Sequence, residues 1–245
     1  MKISFFGFLT LVTLSTTAVA QQPDAFLNAN QEYAAGHFRE AIALYESVAR
    51  DGAMDATVFY NLANAYFRVD ELGRAILNYE RALALEPRHP EAAANLRLVR
   101  DKARGLELKR NPLDRLTSEV TPTQYVIVAV AAFWIALFAF AASLFARRRS
   151  PALTVAVVVS LLILAIVIYG LYAHENGPGG RALAIVTAKS TDARLATADS
   201  AGTVLTLPPG SQVKILSTRG DWTYAALPNE LRGWIPAQSA ELVRR

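Results

Sequence analysis

Two uncharged runs of 21 residues, Tyr125–Phe145 and Ala152–Tyr172, constrain everything else in this chain. Between them lies Ala146–Pro151, a short loop holding Arg147, Arg148 and Arg149. At about 1.5 Å per helical residue each run is roughly 30 Å long, the thickness of a bilayer's hydrocarbon core. Backbone polar groups find no water at that depth, so both runs are expected to be helices. The short loop folds them into an antiparallel hairpin, and the flanking chain then hangs on one side of one membrane. The alternative is a pair of buried helices in a soluble core, where uncharged runs of this length are rare.

Charge orients the hairpin. Three arginines in so short a loop belong on the cytoplasmic side, which places both chain ends outside the cytoplasm. Lys109, Arg110 and Arg115 pull the other way. The N-terminus decides between them. Lys2, the apolar run Ile3–Leu14 and the small residues ending in Ala18-Val19-Ala20 read as a signal peptide over residues 1–20, with cleavage after Ala20. Cleaved or retained as an anchor, it delivers residue 21 onward to the outside. Tyr125 and Tyr172 then stand at the outer interface, where aromatic belts form. A bacterial inner membrane with both terminal domains periplasmic is the expected setting.

Of the 245 residues, about 100 precede the hairpin and about 70 follow it, enough for one small domain on each side. There is no cysteine, which excludes disulfide staples and thiol chemistry. Residues 21–95 carry 6 Arg/Lys against 11 Asp/Glu, and residues 96–119 carry 7 against 4. No long basic face of the kind that binds nucleic acid is present. The basic segment beside the membrane is expected to meet lipid headgroups.

The first domain, residues 21–110, repeats itself at an offset of 34. Ala29, Asn30, Tyr33, Ala41, Ile42, Tyr45 and Glu46 recur as Ala63, Asn64, Phe67, Ala75, Ile76, Tyr79 and Glu80, and Asn61-Leu62 returns as Asn95-Leu96. Residues 56–87 resemble the tetratricopeptide repeat family at Phe59, Leu62, Ala63, Tyr66, Ala75, Tyr79, Ala82 and Pro87. The small residues let paired helices approach closely while the tyrosines fill the space between pairs. A last helix is expected from Pro90 to about Lys109. By resemblance, the concave face is formed by the first helix of each pair and binds proteins or peptides. Here that face is Phe26, Asn30, Tyr33, Tyr60, Asn64, Phe67 and Arg68. Asn30 and Asn64 are placed to grip the backbone of an extended peptide, or are ordinary solvated side chains; Tyr33 and Phe67 have inter-helix packing as their plain alternative. Residues 111–124 are a juxtamembrane linker, with Leu113, Leu116 and Val120 set among charges.

After the linker 173–181, residues 182–245 change to short β-rich runs: Ala182–Ala188, Val204–Leu207, Val213–Ser217, Trp222–Ala226 and Gly233–Pro236, separated by turn residues. Five such strands suit a small all-β barrel. Pro209–Leu216, Gly220-Asp221-Trp222 and Gly233-Trp234-Ile235-Pro236 resemble the bacterial SH3-type domain. Of that family's V-R-x-G-P stretch, Asp192–Ala196 keeps only Arg194. The resemblance implies a ligand face at Arg194, Trp222, Tyr224 and Trp234, for cell-wall peptides or protein partners. Core packing is the competing role for the two tryptophans.

No catalytic, cofactor or metal site is expected. His37, His89 and His174 have no ligand spacing among them, and no Walker loop, G-x-S-x-G or dinucleotide fingerprint occurs. The spans contain no charge of the sort a transport path uses. Small residues at Ala132, Ala136 and Ala139, and at Ala152, Ala156 and Ser160, are expected to pack the hairpin on itself or against another membrane protein. The fold class is thus a multidomain membrane protein of all-α tetratricopeptide repeats, a two-helix hairpin and a small SH3-like barrel. That order resembles the BatE family, named for the last protein of the Bat aerotolerance operon. The resemblance implies a non-catalytic scaffold whose partners are membrane-bound von Willebrand-A-domain proteins, alongside a cytoplasmic MoxR-type ATPase. Two other readings stay open: a membrane anchor binding peptidoglycan through the SH3-type domain, and an assembly factor holding peptide tails in the repeat groove.

Overall fold

The computed structural model describes residues 24–52, 55–109, 120–146, 150–177 and 179–244. The signal peptide, Arg147–Arg149 and most of the juxtamembrane linker lie outside the described residues.

Five antiparallel helices form the first layer: α1 (Asp24–Ala35), α2 (Phe38–Arg50), α3 (Ala56–Arg68), α4 (Leu72–Leu85) and α5 (Pro90–Ala103). Their ends are set locally. Gly36 turns the chain between α1 and α2 at φ 84°. Asp55 caps α3 by accepting from the Thr57 amide at 2.6 Å. Pro90 opens α5, and the His89 ring accepts from the Ala92 amide. Ala29, Ala41, Ala63 and Ala75 are fully buried, which brings the helices close, and Tyr45, Tyr66 and Tyr79 fill the interior. The last helix ends at Ala103, short of the expected Lys109, where Arg104 turns left-handed at φ 54°.

Two long helices follow, α6 (Pro122–Phe145) and α7 (Pro151–Asn176). Each extends a few residues beyond the apolar runs. Thr121 and Gln124 close a reciprocal capping box at the start of α6. Both helices are long and apolar enough to cross a membrane. Only 11% of each apolar stretch is buried, and Phe138, Leu144, Ile166 and Ile168 are mostly exposed. That is not how a core helix of a soluble protein sits. They touch through Tyr125, Ala132 and Ala139 on one side and Ser160, Val167 and Gly170 on the other. The expected stripe on the second helix is corrected here: Ala152 is exposed, because the contact face passes through Ser160 and Gly170, where Tyr125 lies against the glycine.

Seven strands rather than five make the last layer: β1 (Leu183–Val186), β2 (Thr191–Arg194), β3 (Thr203–Leu207), β4 (Gln212–Arg219), β5 (Trp222–Ala226), β6 (Arg232–Pro236) and β7 (Ala240–Leu242). They form one antiparallel sheet in the order β3-β2-β6-β5-β4-β1-β7. Ala184, Val186, Ala193, Leu207, Val213, Ala225 and Ile235 share one core although they come from both ends of that order, so the sheet curls on itself. Thr191 at one end bonds Ser239, just before β7, at 3.2 Å.

The helices and the sheet do not have separate cores. In β1 successive side chains point to opposite faces. Ala184 and Val186 enter the sheet's own core, while Leu183 and Ile185 join the helical core together with Val243. Helix α4 lies directly on β1, with Gly73 against the Val186 carbonyl. The segment after α5 completes the junction: Gln212 N donates to Leu106 O at 2.8 Å, and Leu108 N donates to Gln212 Oε1. Gln212 Nε2 reaches Glu80 at 2.9 Å, and Glu80 also pairs with Arg100. Gln212 is 1% exposed, and both ends of its amide are used.

Candidate functional site

The inner surface of the helical stack carries a hydrogen-bond ladder with the period of the sequence. Tyr45 Oη donates to Asn30 Oδ1 at 2.6 Å, and Asn61 Nδ2 donates to the same oxygen at 3.2 Å. One repeat later Tyr79 Oη donates to Asn64 Oδ1, and Asn95 Nδ2 donates to it at 3.1 Å. Each asparagine oxygen therefore accepts from the second helix of its own pair and from the first helix of the next. Burial, and then the neighbouring Tyr33, push the Tyr45 phenol up to about 12, with the hydrogen bond to Asn61 opposing. The Tyr79 phenol is raised as well, by burial first. Both therefore stay protonated donors at neutral pH.

Asn30, Tyr33, Tyr45, Asn61 and Asn64 line a cleft of about 180 Å³ on this surface. Tyr33 packs edge-on against Phe38, over which Arg68 places its guanidinium at 4.4 Å. Tyr60 is held between Tyr79 and His89. Phe67 is half-buried against the helical core, with Lys102 over its ring. Asn30, Tyr33, Tyr60, Asn64, Phe67 and Arg68 thus lie along the first helices of the stack. Phe26 does not belong with them. It is 4% exposed and packs on Tyr45, since its position in α1 faces the second helix of the pair. The asparagines are not simply solvated polar residues, because the ladder uses their oxygens. Asn61 and Asn95 escaped the sequence reading as site residues, although the Asn-Leu recurrence at 61 and 95 carried the signal.

A second surface lies on the curled sheet. Tyr224 and Trp234 are directly paired across β5 and β6, with ring centroids 5.0 Å apart. Trp222 pairs with Pro236 on the same face, and Arg194 sits opposite Trp234 across β2. Thr223, Ala225, Gly233 and Ile235 are the buried positions of these strands. The two tryptophans stand on the opposite face, partly exposed, and are not members of the sheet's core. The Arg194 guanidinium is anchored by the carbonyls of Asp199 and Ala201. All four expected residues of this face are together.

The two surfaces and the hairpin are tied at one end. Arg244 Nη1 lies 3.1 Å from His174 Nδ1, and Lys214 donates to the Asn176 carbonyl. Among the described residues no group of three or more His, Cys, Asp or Glu side chains is arranged to hold a metal. No curated protein matches the chain. Residues 56–89, the α3–α4 hairpin with its following turn, match the tetratricopeptide repeat family, whose repeats generally bind proteins or peptides.

Proposed function

We propose that this protein is a non-catalytic membrane scaffold that presents a peptide-binding repeat surface and an aromatic sheet surface as one rigid unit. The observation that carries the reading is the shared core: Leu183 and Ile185 of the sheet are packed into the helical stack, and the same unit is held at one end of an apolar hairpin. A unit built this way fixes the distance between two binding faces, which is what an adaptor requires. The ladder leaves Nδ2 of Asn30 and Asn64 as donors beside the small cleft, suited to backbone carbonyls of an extended segment.

The finer reading keeps the three-arginine loop cytoplasmic and the folded unit periplasmic. The curled sheet is read as SH3-like on its G-D-W and G-W-I-P elements. The order of parts supports a Bat-type envelope complex with von Willebrand-A-domain membrane proteins as partners. The sheet's partly exposed Trp222, Tyr224 and Trp234 favour one second reading, a cell-wall anchor holding peptidoglycan.

Deleting the repeats would not separate these readings, because it would strip Leu183 and Ile185 of their cover. A photo-crosslinking residue placed at Arg68 or at Tyr224 in the full chain does. Trapping of a von Willebrand-A-domain protein from position 68 is expected. Peptidoglycan fragments trapped from position 224, with no protein from position 68, would favour the anchor and reject the adaptor.

A further inference from the structure

A larger cleft than that beside the asparagine ladder lies away from the concave surface. About 1360 Å³ in volume, it lies between the outer sides of α4 and α5, the β7 edge of the sheet, and the adjoining ends of α6 and α7. That exceeds the roughly 300–1,000 Å³ of ordinary small-molecule sites. Its wall is amphiphilic. Phe59, Leu83, Ala84 and Leu85 supply accessible apolar surface, while six arginines and three glutamates supply charge. Four of those arginines are neutralised: Arg50 by Glu46, Arg74 by Glu71, Arg81 by Glu241 and Arg100 by Glu80. Arg97 and Arg244 have no carboxylate within 4.0 Å among the described residues. Arg244 is half-buried, with Nη1 3.1 Å from His174 Nδ1. Burial lowers its pKa; Glu175 acts against this and Arg181 with it. Among the described residues the wall thus holds three more arginines than glutamates, an excess of positive charge that suits an anion.

The hairpin residues in the wall, Thr121, Pro122, Thr123, Ala173 and His174, sit where both helices leave the apolar run. In a bilayer this is headgroup level. We propose that the cleft holds one anionic phospholipid of the surrounding leaflet, its headgroup on the side of Arg244 with Arg97 adding to the field, and its acyl chains along the apolar wall. The inference rests on the membrane-anchored reading above. Charge complementarity and continuity with the hairpin's end select a lipid over a soluble peptide, whose entry would not require a wall made of the membrane helices.

The test uses the full chain in nanodiscs of 7:3 phosphatidylcholine and phosphatidylglycerol, with native mass spectrometry of the ejected protein. One retained phosphatidylglycerol per chain, in excess over phosphatidylcholine, is expected. Arg97→Gln/Arg244→Gln is expected to reduce that retention about tenfold or more, from about 1 kcal/mol per arginine near a charged surface. Leu85→Glu, which adds a carboxylate to the wall at an exposed position, should do the same without disturbing the core. Arg39→Gln, on the exposed face of α2 outside the cleft, should not. Equal retention of both lipids, equal loss in Arg39→Gln, or a co-ejected peptide in place of lipid overturns the proposal. Release of the protein by alkaline carbonate would instead remove the membrane reading itself; a firmly embedded protein that retains no phosphatidylglycerol removes only this inference.

Discussion

Gly73→Ala is the substitution on which isolated-helix logic and the shared core disagree in sign. In the first turn of α4, alanine in place of glycine is worth at most about 1 kcal/mol of added helix stability. A Cβ at this position, however, stands 2.6 Å from the Val186 carbonyl oxygen and 3.0 Å from the Thr187 Cα, both backbone atoms. Ordinary contact begins near 3.4 Å, so α4 and β1 must separate by about 0.8 Å. Overpacking of this kind costs about 1–3 kcal/mol. With a helix gain of about 1 kcal/mol subtracted, the net expectation is a destabilisation of up to about 2 kcal/mol, or a fall in Tm of up to roughly 8 °C for a folded unit of this size. Thermal unfolding in detergent micelles, followed by tryptophan fluorescence for the sheet and circular dichroism for the helices, measures it. Trp222 and Trp234 report from the sheet, whereas the altered residue is in the helices. Two independent domains would show unchanged sheet fluorescence and a raised helical Tm. That result would refute the shared core.

The remaining expectations concern single contacts. Glu80→Ala removes the carboxylate that accepts from Arg100 and Gln212, leaving a mostly buried guanidinium unpaired on that side. A loss of about 3–5 kcal/mol in urea unfolding is expected, and a loss below about 1 kcal/mol would argue against the network. Tyr45 titrates at about 12 in the fold against about 10 when unfolded, so its share of stability is complete below pH 10 and falls away between about pH 10 and 12. Tyr45→Phe should flatten that part of the stability–pH curve relative to wild type; an unchanged slope would mean the phenol is not held by its surroundings. Gly170→Val places side-chain atoms where the Tyr125 ring sits, within 2.5 Å of Cε1 at its first carbon. The helices are expected to part at this end, read as a longer spin-label distance between positions 124 and 173, and an unaltered distance would show that the α6–α7 contact lies elsewhere.

The helical half was largely legible in the sequence because its signals are local. Alanines and tyrosines recurring at an offset of 34 fix which faces meet, and Pro90, Pro122 and Pro151 mark helix starts. The sheet was read less fully. Thr191–Arg194 carries an aspartate and an arginine in a four-residue strand, and Ala240–Leu242 is three residues long, so neither offers an apolar alternation. The tryptophans are not core residues for a reason of register: Thr223, Ala225, Gly233 and Ile235 alternate inward, which leaves Trp222 and Trp234 on the other face. Phe26 was misjudged because the side of α1 that meets α2 cannot be told from the concave side by composition. Least visible was the junction. Gly73 and Val186, or Arg81 and Leu242, meet across more than a hundred residues of chain, and nothing local encodes that. One clue was present: Leu183-Ala184-Ile185-Val186 is apolar without alternation, as a strand buried on both faces must be.

The account stands on one placement, the helical stack and the sheet together on one face of a membrane with the arginine loop on the other. The chain has no cysteine of its own, so single cysteines can report it directly. Asp70→Cys and Glu230→Cys lie on exposed positions of the stack and of the sheet, and Arg148→Cys lies in the loop. With a membrane-impermeant maleimide on spheroplasts, positions 70 and 230 are expected to label at once and position 148 only after permeabilisation. Labelling of 148 from outside, or protection of either 70 or 230, would contradict the account.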